Sequence, residues 1–344
     1  MTQKPHILII RLSALGDVAM TVPVIRALVD QHPNCEVTVV SKPFLEPLFK
    51  ELNNVSFFAA DVKGKHKGIL GLYKLFRELN KLEITHVADF HNVLRSKILR
   101  FFYSFTSVKK AFIDKGRDEK KALTRENNKV FKKLKTSVQR YADVLNQIGF
   151  NVKLSEQKKM KKKPLNSSLF EEKSEVWIGV APFAAFEGKM YPLDLMKEVV
   201  DQISKKGKVL LFGGGKKEVE ILNQWEYDFN NTINIAGKIS LEEELNLISH
   251  LDVMLSMDSG NAHLAAMQNV DTVTIWGVTH PYAGFTPFNQ EEHCILPDLK
   301  KYPKLPCSVY GNKVFEGYED VMRSIPVNLI VEKISSLIKS KKET

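Results

Sequence analysis

The sequence predicts an α/β protein of two domains, each a parallel sheet flanked by helices. Three observations carry that prediction. Short apolar runs alternate with segments whose apolar residues recur every three or four positions, the pattern of βαβ units. The chain has 344 residues, more than one core usually serves. Finally, a glycine and a carboxylate stand together at a strand-to-helix turn twice, in Arg11-Leu-Ser-Ala-Leu-Gly-Asp17 and in Asp258-Ser-Gly-Asn-Ala-His263. Open α/β sheets bind ligands beyond the carboxyl ends of their strands, so the pair points to two sheets facing one central cleft.

Taken in order, His6–Ile10 reads as a buried strand and 37–40 as a second, with shorter strands at 55–58, 84–89 and 108–113. Between them, 69–82 places Leu72, Leu75, Phe76 and Leu79 at helical period. Leu94–Phe102 and 129–148 are further helices, the latter closed by Gly149 as a C-cap. These make a first domain over 1–160. The stretch KKMKKKPLNSS at 158–168 is polar, charged and carries a proline, as a linker does. A second domain over 170–325 follows. Its strands at 176–180, 208–212, 232–235, 253–256 and 272–276 alternate with helices at Leu193–Ser204, 216–225, 241–250 and 261–268. A last helix at 327–339 follows Pro326 in a tail spanning 326–344.

With 44% hydrophobic and 26% charged residues, the composition is that of a soluble globular protein. No apolar run reaches the roughly 18 residues of a membrane span, and the N-terminus has no signal-peptide pattern. Cys35, Cys294 and Cys307 show no metal spacing and fit a reducing compartment, so the cytoplasm is expected. The net charge is +10, and it is concentrated. Residues 107–163 hold 18 Lys/Arg against 6 Asp/Glu, a surplus of +12, which leaves −2 for the rest. That stretch is either a solvated lysine-rich surface or a face for an anionic partner. Nucleic acid is the weakest such partner, because no finger or RNP motif accompanies the charge.

The first turn does not match G-x-G-x-x-G, which leaves Gly16 and Asp17 at a helix entrance. Asp17 reads either as an N-cap or as a general base for a sugar hydroxyl. In Ala181-Pro-Phe-Ala-Ala-Phe-Glu-Gly-Lys189, the lysine precedes a helix and is either a phosphate ligand or a surface lysine. The triplet at 213–215 allows close backbone approach but lacks the GK[ST] of a P-loop. Glu218, just beyond it, suits ribose hydroxyls or simply complements a helix dipole. Asp258 and Ser259 occupy an N-cap position, and Gly260 lets the next helix present its first N–H groups to a diphosphate. His263 lies one turn further in, as a ligand contact or a core histidine. Trp276-Gly-Val-Thr-His-Pro281 is another strand-end loop at the same edge.

These segments together resemble glycosyltransferase family 9, the ADP-heptose:lipopolysaccharide heptosyltransferases and relatives. The matching stretches are RLSALGDVAMTVPVIRAL, the loop ending KMYP, DSGNAHLAA and TIWGVTHP, in the family's order between residues 7 and 281. The resemblance implies a GT-B fold with acceptor on the first Rossmann-like domain and nucleotide-sugar on the second, and a last helix crossing back to the first. It implies inverting, metal-independent transfer with no cofactor beyond the nucleotide-sugar, ADP-heptose being the leading donor. Position by position, Asp17 is the implied base, Lys189 the cation for the leaving diphosphate and Asp258 the contact to the donor sugar. Gly16, Ser259, Gly260 and His263 complete the implied donor set, with Glu218 at the ribose.

Two departures keep the donor open. Ala184 and Ala185 stand where better-studied members carry hydroxyl residues that hold the donor phosphates, and Tyr191 stands where tryptophan is frequent. The implied acceptor is an anionic lipid-linked saccharide at the inner face of the inner membrane, where the protein would be peripheral. Lys132, Lys133 and Lys135 in the basic stretch, and Arg95 after the fourth strand, are the expected acceptor contacts. Two other readings stand beside this one: a sugar-nucleotide epimerase, and a nucleotide-sugar-binding protein without turnover, for which the two alanines are the motive.

Overall fold

A computed structural model describes residues 4–155, 162, 164–165 and 175–342. The predicted linker at 158–168 lies outside the described residues except at 162, 164 and 165. The backbone forms two compact units, the first comprising Met1–Lys115 and Thr136–Lys158, the second Gly116–Lys135 and Lys159–Thr344.

In the first unit, β1 (His6–Ile10), β2 (Glu36–Ser41), β3 (Val55–Ala59), β4 (His86–Asp89) and β5 (Lys109–Phe112) form a sheet in the order β3-β2-β1-β4-β5. Every pair in it is parallel. Its helices are α1 (Leu15–Ala19), α2 (Val22–Gln31), α3 (Gly68–Asn80) and α4 (Leu94–Phe102), joined by a later one described below. Ile7 to Ile10 are fully buried. A strand covered on both faces must be apolar throughout, which is why β1 shows no alternation.

The second unit begins with α5 (Arg117–Thr124); the chain then returns to the first unit for α6 (Ser137–Gln147). Its sheet holds β6 (Trp177–Ala181), β7 (Lys208–Leu211), β8 (Thr232–Asn234), β9 (Val253–Met257), β10 (Asp271–Ile275) and β11 (Cys294–Ile295). The order is β11-β10-β9-β6-β7-β8, again all parallel. The helices α7 (Leu193–Ser204), α8 (Lys216–Asp228), α9 (Leu241–Ser249), α10 (Gly260–Met267) and α11 (Val327–Lys342) complete it. Strand order reverses between β1 and β4 in one sheet and between β6 and β9 in the other. At such switch points the loops diverge and leave a crevice beyond the strand ends. Both motif turns lie there.

Three expectations change. The helix expected over 129–148 begins only at Ser137, where Thr136 and Gln139 form a reciprocal capping box at 3.2 and 3.0 Å. Upstream, Lys129 donates to the Pro306 carbonyl at 2.6 Å and the Leu134 N–H to the Tyr282 carbonyl at 3.0 Å. These long-range bonds claim groups that a helix would have used. For the same reason the first domain is not continuous over 1–160: the units part at Lys158 and Lys159, but residues 116–135 pack with the second, where Leu123 and Leu134 share a small core with Ala283 and the Lys120 ammonium sits 4.0 Å from the Phe285 ring centre.

The last helix, expected to cross back to the first unit, is grouped with the second. It packs against α7, with Ile330, Val331, Ile334 and Ile338 in the core of the second unit beside Val199 and Ile203. Residues 330, 334 and 338 form one stripe, and burying each such side chain contributes at most about 1.5–3 kcal/mol.

Candidate functional site

At the first switch point, Arg11 leaves β1 and is buried. One guanidinium nitrogen donates to the Phe90 carbonyl at 2.8 Å, and another lies 2.5 Å from a carboxylate oxygen of Asp17. The Tyr141 ring centre is 5.9 Å from the guanidinium carbon and stacks on Phe90 at 4.6 Å. Residues from β1, the end of β4, α1 and α6 thus hold one planar cation. Burial opposes its charge, yet Tyr141, Asp17 and Asp89 together raise its pKa above the ordinary arginine value.

Asp17 is the third residue of α1, and its carboxylate also accepts the Ala14 N–H at 3.3 Å. Asp17 is therefore not the N-cap: that position is Ala14, whose side chain offers no acceptor, and Asp17 bonds back to its N–H from inside the helix. About a third of the side chain, 31%, stays accessible. Gly16, the residue before it in this turn, belongs to the first unit.

The turn after β4 is fixed by Asp89, which is fully buried and accepts the His91 and Asn92 N–H groups at 2.9 and 2.8 Å and Arg100 at 2.9 Å. His91 accepts the Leu12 N–H at 3.3 Å. Burial, reinforced by Arg11 and Lys115, pushes its imidazole down to about 3, so it is neutral. Arg95 is exposed on the first turn of α4, close enough for its charge to act on His91.

At the second switch point, Lys189 closes a short turn after β6, and its ammonium lies 2.9 Å from Asp258, which follows β9 directly. Thr279 donates to the same carboxylate oxygen at 2.9 Å. The lysine stem runs against Gly311, where φ is +87° and a Cβ would come within 2.3 Å of the Lys189 Cγ. No side chain but glycine's leaves the stem that path. The loop is pinned beside it: the Val278 N–H donates to the Gly188 carbonyl at 2.8 Å.

Asp258 is spent on this pair and does not cap α10. Ser259 holds the N-cap backbone position, but its hydroxyl bonds Ser256 at 3.1 Å, and no side chain caps the helix. Gly260 opens α10, and His263 is buried in its middle. Glu218 accepts the Gly214 N–H at 2.7 Å, which ties the glycine turn to the first turn of α8. Tyr191, the departure from tryptophan, is fully buried and donates to the Ile325 carbonyl at 2.8 Å, and burial pushes its phenol up to about 12. Ala185 is exposed and Ala184 partly buried in the same loop.

The structure thus brings Lys189, Asp258, Ser259, Gly260 and His263 to one sheet edge and sets Asp17 and Arg95 at the edge of the other sheet. The expected acceptor lysines are displaced. Lys132, Lys133 and Lys135 are exposed but belong to the second unit, and Lys133 pairs with Glu291 at 2.5 Å. Their assignment to an acceptor domain followed from chain order, which the long-range bonds of 129 and 134 override. Sequence reasoning passed over Arg11 and Thr279, both inside the quoted motifs, where a cation six residues before Asp17 was a readable signal. Tyr141 and Gly311 reach their places from far along the chain and carried no local signal.

The model of glycosyltransferase family 9 (heptosyltransferase) matches residues 72–313 of this chain. Lipooligosaccharide heptosyltransferase 2 of Campylobacter jejuni is 22% identical over 334 residues, covering 95% of this chain and 96% of its own. Among solved structures, a family 9 glycosyl transferase from Veillonella parvula matches with a TM-score of 0.76 at 20% identity, covering 99% of both chains. The E. coli ADP-heptose lps heptosyltransferase II matches with 0.68 at 19% identity, covering 98% of this chain and 99% of that one. Both likenesses are of fold.

Proposed function

The chain belongs to glycosyltransferase family 9, and from that premise we propose that it moves a heptose from ADP-heptose to a lipopolysaccharide or lipooligosaccharide core, inverting the anomeric carbon without a metal. The observation that carries this reading is the Lys189–Asp258 pair at the carboxyl ends of β6 and β9, in front of the uncapped start of α10. A cation on a flexible stem and a row of helix N–H groups suit a diphosphate. On donor binding the ammonium exchanges its carboxylate partner for phosphate oxygens, which releases Asp258 toward the sugar hydroxyls.

In the transfer, the acceptor oxygen bonds to the anomeric carbon on the face opposite the leaving group. The bond to the diphosphate oxygen breaks with its electron pair, and Asp17 takes the hydroxyl proton. One displacement inverts the centre. Lys189 and α10 offset charge that grows on the diphosphate, so the aid is larger in the transition state than before it. The choice of ADP-heptose is supported by the donor named for the E. coli structure. With Ala184 and Ala185 in the loop, backbone N–H groups serve where hydroxyls would. No described helix is long and apolar enough to cross a membrane; with a lipid-linked acceptor, this reading sets the enzyme peripherally at the cytoplasmic face of the inner membrane.

Calorimetric titration with ADP, UDP, GDP and CMP sugars tests the donor. Binding should favour ADP-heptose, and Lys189→Ala should weaken it by roughly 10- to 100-fold, the scale of a charged phosphate contact. Preference for another base would overturn ADP-heptose as donor, and full affinity in the variant would remove Lys189 from the phosphates.

A further inference from the structure

We propose that the α3–α4 face of the first unit docks on an anionic lipid bilayer, with Ile69, Leu70, Tyr73, Leu94, Phe101 and Phe105 entering the interface. These side chains are exposed although large and apolar: Leu70 to 85%, Phe105 to 77% and Leu94 to 74%. Scattered apolar residues need no explanation, whereas a continuous patch does. This patch is continuous. Ile69 and Leu70 lie one turn before Tyr73, whose ring is 5.3 Å from Phe102. Phe102 is 6.2 Å from Phe101, and Phe101 is 5.2 Å from Phe105. Leu94 lies two turns before Phe101 on the same face of α4.

Charge decides what covers it. Residues 63–112 hold 11 Lys/Arg against 3 Asp/Glu, and two of those carboxylates are already paired, Asp89 with Arg100 and Glu78 with Lys65. The free excess stands among the apolar residues. Exposed Lys74 is one turn beyond Leu70, and exposed Lys97 is one turn from both Leu94 and Phe101. A second copy of the chain would set cations against cations across such a patch. An anionic bilayer satisfies both components, because lysine heads reach the phosphates while leucine and phenylalanine enter the acyl boundary. Aromatic residues favour that depth. The basic stretch at 107–163 is not the vehicle as a whole, since 116–135 belongs to the second unit.

Docking through this face rests on the lipid-linked acceptor proposed above, yet it is measurable with neither donor nor acceptor present, so the two fail separately. Full-length protein is sedimented with vesicles containing phosphatidylglycerol and with vesicles of phosphatidylcholine alone. Wild type should partition at least about tenfold better to the anionic vesicles. Leu70→Ser/Phe101→Ser/Phe105→Ser should lower that partition about tenfold or more, and Lys74→Glu/Lys97→Glu by roughly as much, with loss of its salt sensitivity. Both variants should keep the wild-type melting curve, since every altered side chain is exposed. Unchanged binding by the folded triple variant overturns the assignment. So does a wild type that ignores anionic vesicles, or a wild-type dimer in light scattering that the triple variant disperses.

Discussion

The two switch points each end in a cation–carboxylate pair, built in opposite senses. In the first unit the cation is the fixed member: Arg11 is buried, forked onto Phe90 and lying by Tyr141, and the partly exposed Asp17 is the member that solvent reaches. In the second unit the carboxylate is fixed. Asp258 is nearly buried and held by Thr279, while Lys189 reaches it on a flexible stem past Gly311. A rigid cation holds an accessible carboxylate in one orientation, where solvent reaches it. A movable cation against a rigid carboxylate suits exchanging one anion for another.

The largest expected effect breaks the comparison at Asp17. Asp17→Asn keeps size and the bond to the Ala14 N–H but removes the base, so kcat should fall by roughly 10²- to 10⁴-fold with donor affinity unchanged. Steady-state kinetics beside calorimetry reads both. Lost donor affinity with kcat retained would mean that the first pair binds rather than catalyses.

Next comes the second pair. Lys189→Ala strands a nearly buried carboxylate, which costs up to about 3–5 kcal/mol, with Thr279 relieving part of it. Adding Asp258→Ala should restore most of that stability in urea unfolding while donor binding stays lost. Additive losses would show that the two side chains do not depend on each other.

Two buried histidines give a smaller effect that sharpens the contrast. Burial lowers His91 in the first unit to about 3 and His280 in the second to about 4, from an ordinary 6.5. Both are neutral when folded and gain a proton more readily when unfolded. Their contribution to stability is therefore complete above pH 6.5 and is lost as pH falls, toward 3 in the first unit and toward 4 in the second. The slope is about 1.4 kcal/mol per pH unit for each. His91→Gln and His280→Gln should each flatten the decline in unfolding midpoint between pH 6.5 and 4.5. An unchanged decline in both would place the acid sensitivity elsewhere.

Much of the fold was legible because buried parallel strands must be apolar throughout and their covering helices must carry a 3.6-residue stripe. The strands at 6–10 and 253–257 and the helices at 193–204 and 241–249 are local statements of that kind. The helix bounds around 117–136 were not, since Lys129 and Leu134 are held by carbonyls at 306 and 282, partners that no window of sequence contains. Site legibility divides similarly. Asp17, Lys189 and Asp258 stand where strand ends meet helix starts, and that position is encoded by neighbours in the chain.

By itself, then, the sequence determined the α/β class, two sheets with a glycine–carboxylate turn at a strand end on each, and the carboxylates and lysine most suited to the proposed chemistry. Local rules suffice there, because hydrophobic period and turn residues act over a few positions. Only tertiary structure decided that Phe90 and Tyr141 hold Arg11 behind Asp17, that Lys189 waits on Asp258 past Gly311, that α11 seals the second core, and that the lysines at 132–135 leave the first unit. Each of these depends on burial or on a hydrogen bond between residues far apart in the chain, and such partners exist only once the backbone has closed around them.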